Sequence, residues 1–299
     1  VDLVNSVTLP SSTGFTSYKD NIGEVVNKGF EVQLRSTLLN TKEWYVAVFA
    51  NLAHNENEIT KISDSMKEYN RRVMDKYANY DTGYNKGDAA YADTYLQYVE
   101  GGSLTSIFAV KSLGINPANG REVFVRPDGT ITYDWNAADQ VVVGNQEPKI
   151  QGTFGFNLRW KQFSLFSTFL YECGGQRYNS TLVDKVENAR IADGNVDRRV
   201  LTGRWQKPGD LAPYGRFTKG IVSVTRPTSR FVQDYNMLSF NSLTLGYDFD
   251  MAWMKKAHIG MLRAELSGND LFHLSTVRIE RGLDYPYARS FSASLKVSF

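Results

Sequence analysis

A single cysteine, Cys173, in 299 residues leaves no intrachain disulfide framework and too few thiols for a zinc ribbon or finger. Long apolar runs are also missing. The longest, about residues 45–50, falls far short of the ~20 residues a membrane-spanning helix needs, which excludes a helical membrane protein. Neither sign of charge dominates: 34 Lys and Arg stand against 32 Asp and Glu, so no nucleic-acid partner held by a basic field is expected. The three histidines, His54, His258 and His273, sit in unrelated segments without metal-ligand spacing and read as strand-end or lumen residues. No Gly-x-Ser-x-Gly elbow, Walker A loop or GxGxxG turn occurs. Glu56 and Glu58 fit a strand emerging into water better than a glycosidase pair, and Cys173 beside Gly174-Gly175 fits a strand exit. No catalytic residue, metal or cofactor is therefore expected, and the chain does not read as an enzyme.

None of these absences touches a membrane β-barrel, whose alternating strands keep hydropathy averages low. The mean hydropathy of −0.37 fits such a barrel and a soluble protein equally. What is present favours β-structure: 17 Phe, 17 Tyr and 24 Gly against 6 Met, within a 42% hydrophobic composition that excludes a disordered chain. In residues 289–299, Phe291, Ala293, Leu295, Val297 and Phe299 alternate with Ser290, Ser292, Ser294, Lys296 and Ser298. Residues 150–160 set Phe154, Phe156, Leu158 and Trp160 against Thr153, Gly155, Asn157 and Arg159. Leu243, Leu245, Tyr247 and Phe249 alternate with Thr244, Gly246 and Asp248; Phe30, Val32, Leu34 and Leu38 alternate with Glu31, Gln33, Arg35 and Thr37. Weaker strands are expected at 44–54, 163–171 and 259–268. Strands of about ten alternating residues suit a tilted bilayer crossing.

Short links at 39–43, 161–162 and 250–257 alternate with long polar stretches at 55–149, 172–230 and 269–288. Compact soluble domains rarely keep structureless loops of that size, whereas outer-membrane barrels have short turns at one end and long loops at the other. Within the first long stretch, 107–113 and 122–125 read as short strands and 67–80 as a helix. The fold expected is an all-β transmembrane antiparallel barrel with long extracellular loops. A soluble sandwich with inward apolar faces stays open from alternation alone. Glu31, Arg35, Asn157 and Arg159 are expected to face the lumen, and Phe30, Phe154, Phe156, Phe291 and Phe299 outer-membrane lipid or its aromatic girdle. Solute or partner contacts are expected in the loops at Tyr98, Trp135, Tyr178, Arg204, Trp205 and Tyr214, since aromatics stack on sugar faces or peptide side chains and polar neighbours orient them. The competing reading is that each merely packs its loop.

The stretch Asn21-Ile22-Gly23-Glu24-Val25-Val26-Asn27-Lys28-Gly29-Phe30-Glu31 resembles a strand entry of SusC/RagA-like TonB-dependent transporters. Similar landmarks follow in family order: Gly114-Ile115-Asn116-Pro117, Asp128-Gly129-Thr130, Gly203-Arg204-Trp205, Ser229-Arg230-Phe231-Val232, Gly268-Asn269-Asp270-Leu271-Phe272 and Tyr285-Pro286. Met237-Leu238-Ser239-Phe240 and Gly282-Leu283-Asp284 depart from the family pattern. The resemblance implies that the chain is the C-terminal third of a 22-stranded barrel, with about seven complete strands and the end of another at residues 2–4. Val1, without initiator Met or signal-like leader, reads as the start of a mature or truncated piece. On that reading the N-terminal plug, the remaining barrel strands and the TonB-contacting segment lie upstream, and a SusD-like surface lipoprotein caps the barrel. The function implied is TonB-energised import of a large oligosaccharide or oligopeptide. An autonomous smaller outer-membrane barrel, porin or enzyme, and a soluble surface carbohydrate-binding β-protein are the alternatives.

Overall fold

The computed structural model describes residues 2–8, 17–81, 88–189, 191, 195–217, 224–256, 258–278 and 289–299. In chain order the strands are β1 (Asp2–Thr8), β2 (Ser17–Asn40), β3 (Trp44–Ile62), β4 (Ser106–Ile115), β5 (Glu122–Val125), β6 (Ile131–Thr132), β7 (Gln140–Asn145), β8 (Ile150–Trp160), β9 (Phe163–Tyr178), β10 (Val232–Phe249), β11 (Met261–Ser275) and β12 (Ser290–Ser298). Among the described residues, one eight-stranded sheet runs β1-β2-β3-β8-β9-β10-β11-β12 and a four-stranded sheet runs β6-β5-β4-β7. The larger sheet is an up-and-down meander with antiparallel registers, and the all-β antiparallel class read from the alternation is the one found. No helix among these residues is long and apolar enough to cross a membrane.

The strands outrun the sequence pattern. β3 continues through Asn55-Glu56-Asn57-Glu58 to Ile62, β9 through Cys173 to Tyr178, and β11 through His273 to Ser275, where polar loops were expected. Outside hydrocarbon both faces of a strand are polar, so the period-2 signal fades while the backbone ladder continues. The link at 250–257 also differs, holding a short helix, Ala252–Lys256. The expected small elements are present as β4, β5 and a helix α1, Asp64–Asp81. The motif Gly268-Asn269-Asp270 marks a bulge: Phe240 pairs with Phe272 but Ser242 with Asn269, and Asp270 takes up the extra residue at φ +53°. Tyr285-Pro286 and Gly282-Leu283-Asp284 lie outside the described residues.

The chain divides into two compact units. The strand unit comprises Gly29–Asn55, Pro148–Gly175 and Tyr235–Phe299. Its register keeps like with like: Leu245, Leu266 and Ala293 share one row, and Gly246, Glu265 and Ser294 the next. Along the apolar face run two aromatic rows. Trp44 stacks on Trp160, Trp160 on Phe163, and Phe163 meets Tyr247 at 4.7 Å. Farther along the strands, Phe154 stacks on Phe169 at 5.0 Å, Phe169 on Phe240 at 4.4 Å, and Phe240 meets Phe272. The 11 residues of β8 extend about 36 Å, which a ~40° tilt reduces to about 28 Å, enough to cross the ~25 Å apolar band of an outer-membrane barrel. Phe30, Leu34, Phe291 and Leu295 lie exposed on this face, at 56–67% of their accessible surface. His54 is neither at a strand end nor on the polar face; it lies within β3 with its ring 5.4 Å from Phe30.

The loop-rich unit comprises Val1–Lys28, Glu56–Glu147 and Gln176–Asp234. Here burial follows the rules of a water-soluble domain. Val73, Tyr77 and Tyr80, spaced on one face of α1, pack with Tyr91, Val110, Phe124 and Trp135. A second core gathers Ala92, Val183, Val186, Val200, Tyr214 and Phe231.

The two faces of β12 make opposite predictions. Leu295→Arg, on the apolar face, should destabilise the folded full-length protein in lipid by about 2–4 kcal/mol, while Ser294→Arg on the other face should cost little. Heat-modifiable gel migration across a urea series reads the folded fraction. Equal tolerance of both would exclude lipid contact at Leu295.

Candidate functional site

The loop-rich unit contains a cleft of about 700 Å³. Tyr80, Phe124, Tyr133 and Trp135 supply its rings, Arg121, Arg216 and Arg226 its cations, and Glu122, Asp134 and Glu187 its carboxylates. At its base Arg230 bridges Glu122 at 2.8 Å and Glu187 at 2.9 Å, all three side chains no more than 10% exposed. Thr228 donates its hydroxyl to Glu122, and Arg230 donates to Pro213 O at 2.6 Å. Burial works against the Arg230 charge, but Glu187 and Glu122 overcome it and hold its pKa above the ordinary arginine value. Arg226 lies between two rings, 4.5 Å from Tyr80 and 4.3 Å from Trp135. Arg121 sits over Tyr133 at 4.7 Å. Such cation–ring contacts hold the plane of each guanidinium in the wall.

One glycine permits this wall. Gly120 has φ +69°, and a Cβ there would come within 2.5 Å of the Trp205 ring and 2.9 Å of Arg216 Cβ. The Arg216 N–H donates to Gly120 O at 2.9 Å, which fixes Arg216 beside Arg121.

The six loop candidates fall in this unit, each with partners inside it. Trp135 lines the cleft and donates its indole N–H to Pro227 O at 2.8 Å. Trp205 donates to Pro117 O at 2.8 Å behind Gly120. Arg204 is buried, donating to Gly215 O, Val186 O and Glu187 O, with Phe217 under its guanidinium at 4.0 Å. Burial lowers the Arg204 pKa. Tyr214 belongs to the second core. Tyr178 donates to Ala92 O, and burial pushes its phenol well above the usual range. Tyr98 is pinned by Asn70 through both its N–H and its carbonyl, with its ring 5.7 Å from that of Tyr69. The structure thus brings Trp135 to the cleft and Trp205 and Tyr214 to its flank, and leaves Tyr98 elsewhere in the unit. The cleft's charged residues went unnoticed in the sequence because they are far apart in it; only Arg230 lay in a quoted motif.

The polar face of the strand unit carries a second arrangement. Asn157 and Arg159 pair in register with Ala47 and Tyr45 on β3, and with Phe166 and Ser164 on β9. Arg159 lies 5.9 Å over Tyr45. Ser164 accepts from Arg263, which also binds Asp248 at 2.9 Å and Glu265 at 3.1 Å, and Lys296 pairs with Glu265. Ser267 and Ser292 continue this charged row as a hydroxyl pair. Glu31 and Arg35 are exposed and alternate along β2 with Phe30, Val32 and Leu34.

No protein-family model matches the chain. It is 24% identical over its whole length to TonB-dependent receptor P3 of Formosa agariphila, covering 31% of that protein. It is 22% identical, again over its whole length, to TonB-dependent receptor SusC of Bacteroides thetaiotaomicron, covering 29%. The solved RagAB peptide transporter matches all of the chain with a TM-score of 0.73 at 21% identity, over 32% of that structure's chain. The chain therefore spans about a third of the length of the curated relatives it matches. In sequence and fold the chain is thus similar to part of the outer-membrane β-barrels of TonB-dependent receptors, SusC and the RagAB transporter among them.

The buried trio gives a direct test of how the cleft is held. Arg230→Met leaves Glu122 and Glu187 buried without their cation and should cost about 3–5 kcal/mol. Hydrogen exchange on the full-length protein should show protection lost around β5 and residues 183–187, with part regained when Glu122→Gln and Glu187→Gln are added. Unchanged protection would show that the trio does not organise the cleft.

Proposed function

We propose that the longer protein to which this chain contributes imports a large nutrient, an oligosaccharide or oligopeptide, across the outer membrane with energy relayed through TonB. The observation that carries this reading is whole-length similarity to TonB-dependent receptors in a chain whose sheet has one apolar and one charged face. The chain supplies the C-terminal part of the barrel, and a plug and further strands come from the rest of the polypeptide. Glu31, Arg35, Asn157 and Arg159 line the lumen on this reading, continuous with the Arg263 row.

A SusD-like lipoprotein caps the barrel. In the loop-rich unit Leu113, Ile131 and Leu201 are more than 60% exposed and Leu211 is 89% exposed, and a protein cover over the loops would bury such side chains. The cleft, with Trp135 in its wall and Trp205 on its flank, forms the solute-facing part of the loops, while Arg204 and Tyr214 shape it from the interior; Tyr98 and Tyr178 are further contacts.

Mass spectrometry of the native complex extracted in detergent tests the assembly. The expected result is this sequence within a polypeptide about three times its length, copurifying with a lipoprotein. Uptake of its solute should then fail in cells lacking TonB. An intact mass of 33.8 kDa with nothing accompanying it would sink the proposal in favour of a small autonomous barrel.

A further inference from the structure

The short links of the strand unit meet at one end of it. Lys161 N donates to Glu43 O at 2.7 Å, joining the link after β8 to the link after β2. Asp248 N, near the end of β10, donates to Gln162 O at 3.0 Å, and Gly260 N donates to Ser298 O at 2.7 Å. Residues 41–43, 161–162 and 250–260 and the end of β12 therefore form one rim. The links carry Lys42, Lys161, Lys255 and Lys256 against Glu43 and Asp250. A terminal carboxylate on Phe299 would still leave cations in excess. Lys42 and Lys256 are exposed, and Lys161 lies 3.8 Å from Glu43 and 5.8 Å over the Trp160 ring. The charged row just inside the rim adds no opposing field, because Arg263 and Lys296 balance Asp248 and Glu265.

The link at 250–260 holds the short helix Ala252–Lys256. Met254 turns inward at 5% exposure, and its carbonyl accepts from Ile259 N at 2.9 Å, which ties the helix to the strand that follows. Met251 and Trp253 stand outward, 42% and 49% exposed, and touch each other. The Trp253 indole N–H meets the Met251 sulfur, a weak acceptor, at 3.1 Å. Both residues follow directly on Phe249, whose ring lies 4.9 Å from Tyr247 at the end of the Trp44–Trp160–Phe163–Tyr247 row. The aromatic row thus extends past the last residue of β10 onto the helix. Indole suits the boundary between hydrocarbon and water, with an apolar body and a donor for carbonyl or phosphate oxygens. Lysine stems reach outward from such a position to charged headgroups. Outer-membrane barrels place their short links on the periplasmic side, so this rim belongs at the inner leaflet.

We infer that the 252–256 helix is an interfacial anchor: Met251 and Trp253 enter the headgroup–acyl boundary of the inner leaflet, and Lys161 and Lys256 draw anionic phospholipid to the rim. This rests on the barrel fold and is independent of the imported solute. The test puts photoreactive benzoylphenylalanine in place of Trp253 in the full-length protein, with a second label site at Leu295 on the apolar face, and identifies the adducts by peptide mass spectrometry. In phosphatidylethanolamine vesicles holding about a tenth phosphatidylglycerol, position 253 should capture phospholipid, with phosphatidylglycerol enriched about fivefold over its share. That enrichment should fall as salt is raised and in the pair Lys161→Gln with Lys256→Gln. The same label in intact cells should again capture phospholipid. Heat-modifiable migration checks folding, and Met251 takes the label if position 253 does not tolerate it. A protein adduct in cells would make the patch a partner contact and overturn the inference. No lipid adduct at 253 beside a strong one at 295, phosphatidylglycerol captured only in proportion to its share, or undiminished enrichment in the folded Gln pair overturns it as well. Absence of lipid adducts at both positions would bring down the barrel reading with it.

Discussion

A strand crossing hydrocarbon finds no water for its amides and carbonyls, so neighbouring strands must supply every partner. The larger sheet follows from that requirement. Each strand lies beside its nearest neighbour in that sheet's chain order, the registers are antiparallel, and side chains sort row by row into apolar and polar faces. The apolar rows lie exposed, as Phe30 and Leu295 do, which suits a lipid-facing surface, because lipid is as apolar as leucine and rewards no tight packing. Aromatic side chains instead gather in two bands, Trp44–Trp160–Phe163 and Phe154–Phe169–Phe240. The opposite face is free to hold charge, and Arg263 joins Ser164, Asp248 and Glu265 across three strands.

The loop-rich unit obeys a different solvent. Its aromatics turn inward, and the polar groups it buries turn largely to partners within it, Asp139 Oδ2, Gln140 Nε2, Asn188 Nδ2 and Arg230 Nε excepted. Arg204 donates to four carbonyls, Trp135 and Trp205 each spend their indole N–H on a proline carbonyl, and Arg230 neutralises two glutamates. These bonds consume groups a solute would otherwise compete for. What is left at the cleft's surface is guanidiniums and the Asp134 carboxylate over a floor of rings, shaped by a glycine at the point where Trp205 and Arg216 converge.

The loop candidates show why composition alone misleads about sites. Tyr214 and Arg204 have the chemistry of a ligand contact, yet both are buried in the interior of their unit. The residues that line the cleft come from widely separated stretches, Tyr80 in α1, Arg121 and Glu122 at β5, Glu187, and the run Val224-Thr225-Arg226. No local pattern links them. Arg230 lay in a recognisable Ser-Arg-Phe-Val motif, but the motif gives no hint that Glu122 and Glu187 are its partners.

Alternation of apolar and polar residues determined the strands, their faces and the short turns, because the bilayer imposes a period of two that local sequence records directly. The ordered family landmarks determined the class. Where strands leave hydrocarbon the period vanishes, so the extensions of β3, β9 and β11 were decided by the backbone ladder and not by side chains. The cleft, its buried ion trio and the burial of Arg204 and Tyr214 were decided only by tertiary structure. They arise from contacts between separate stretches, up to the 108 residues between Glu122 and Arg230, and such contacts leave no periodic trace in the sequence.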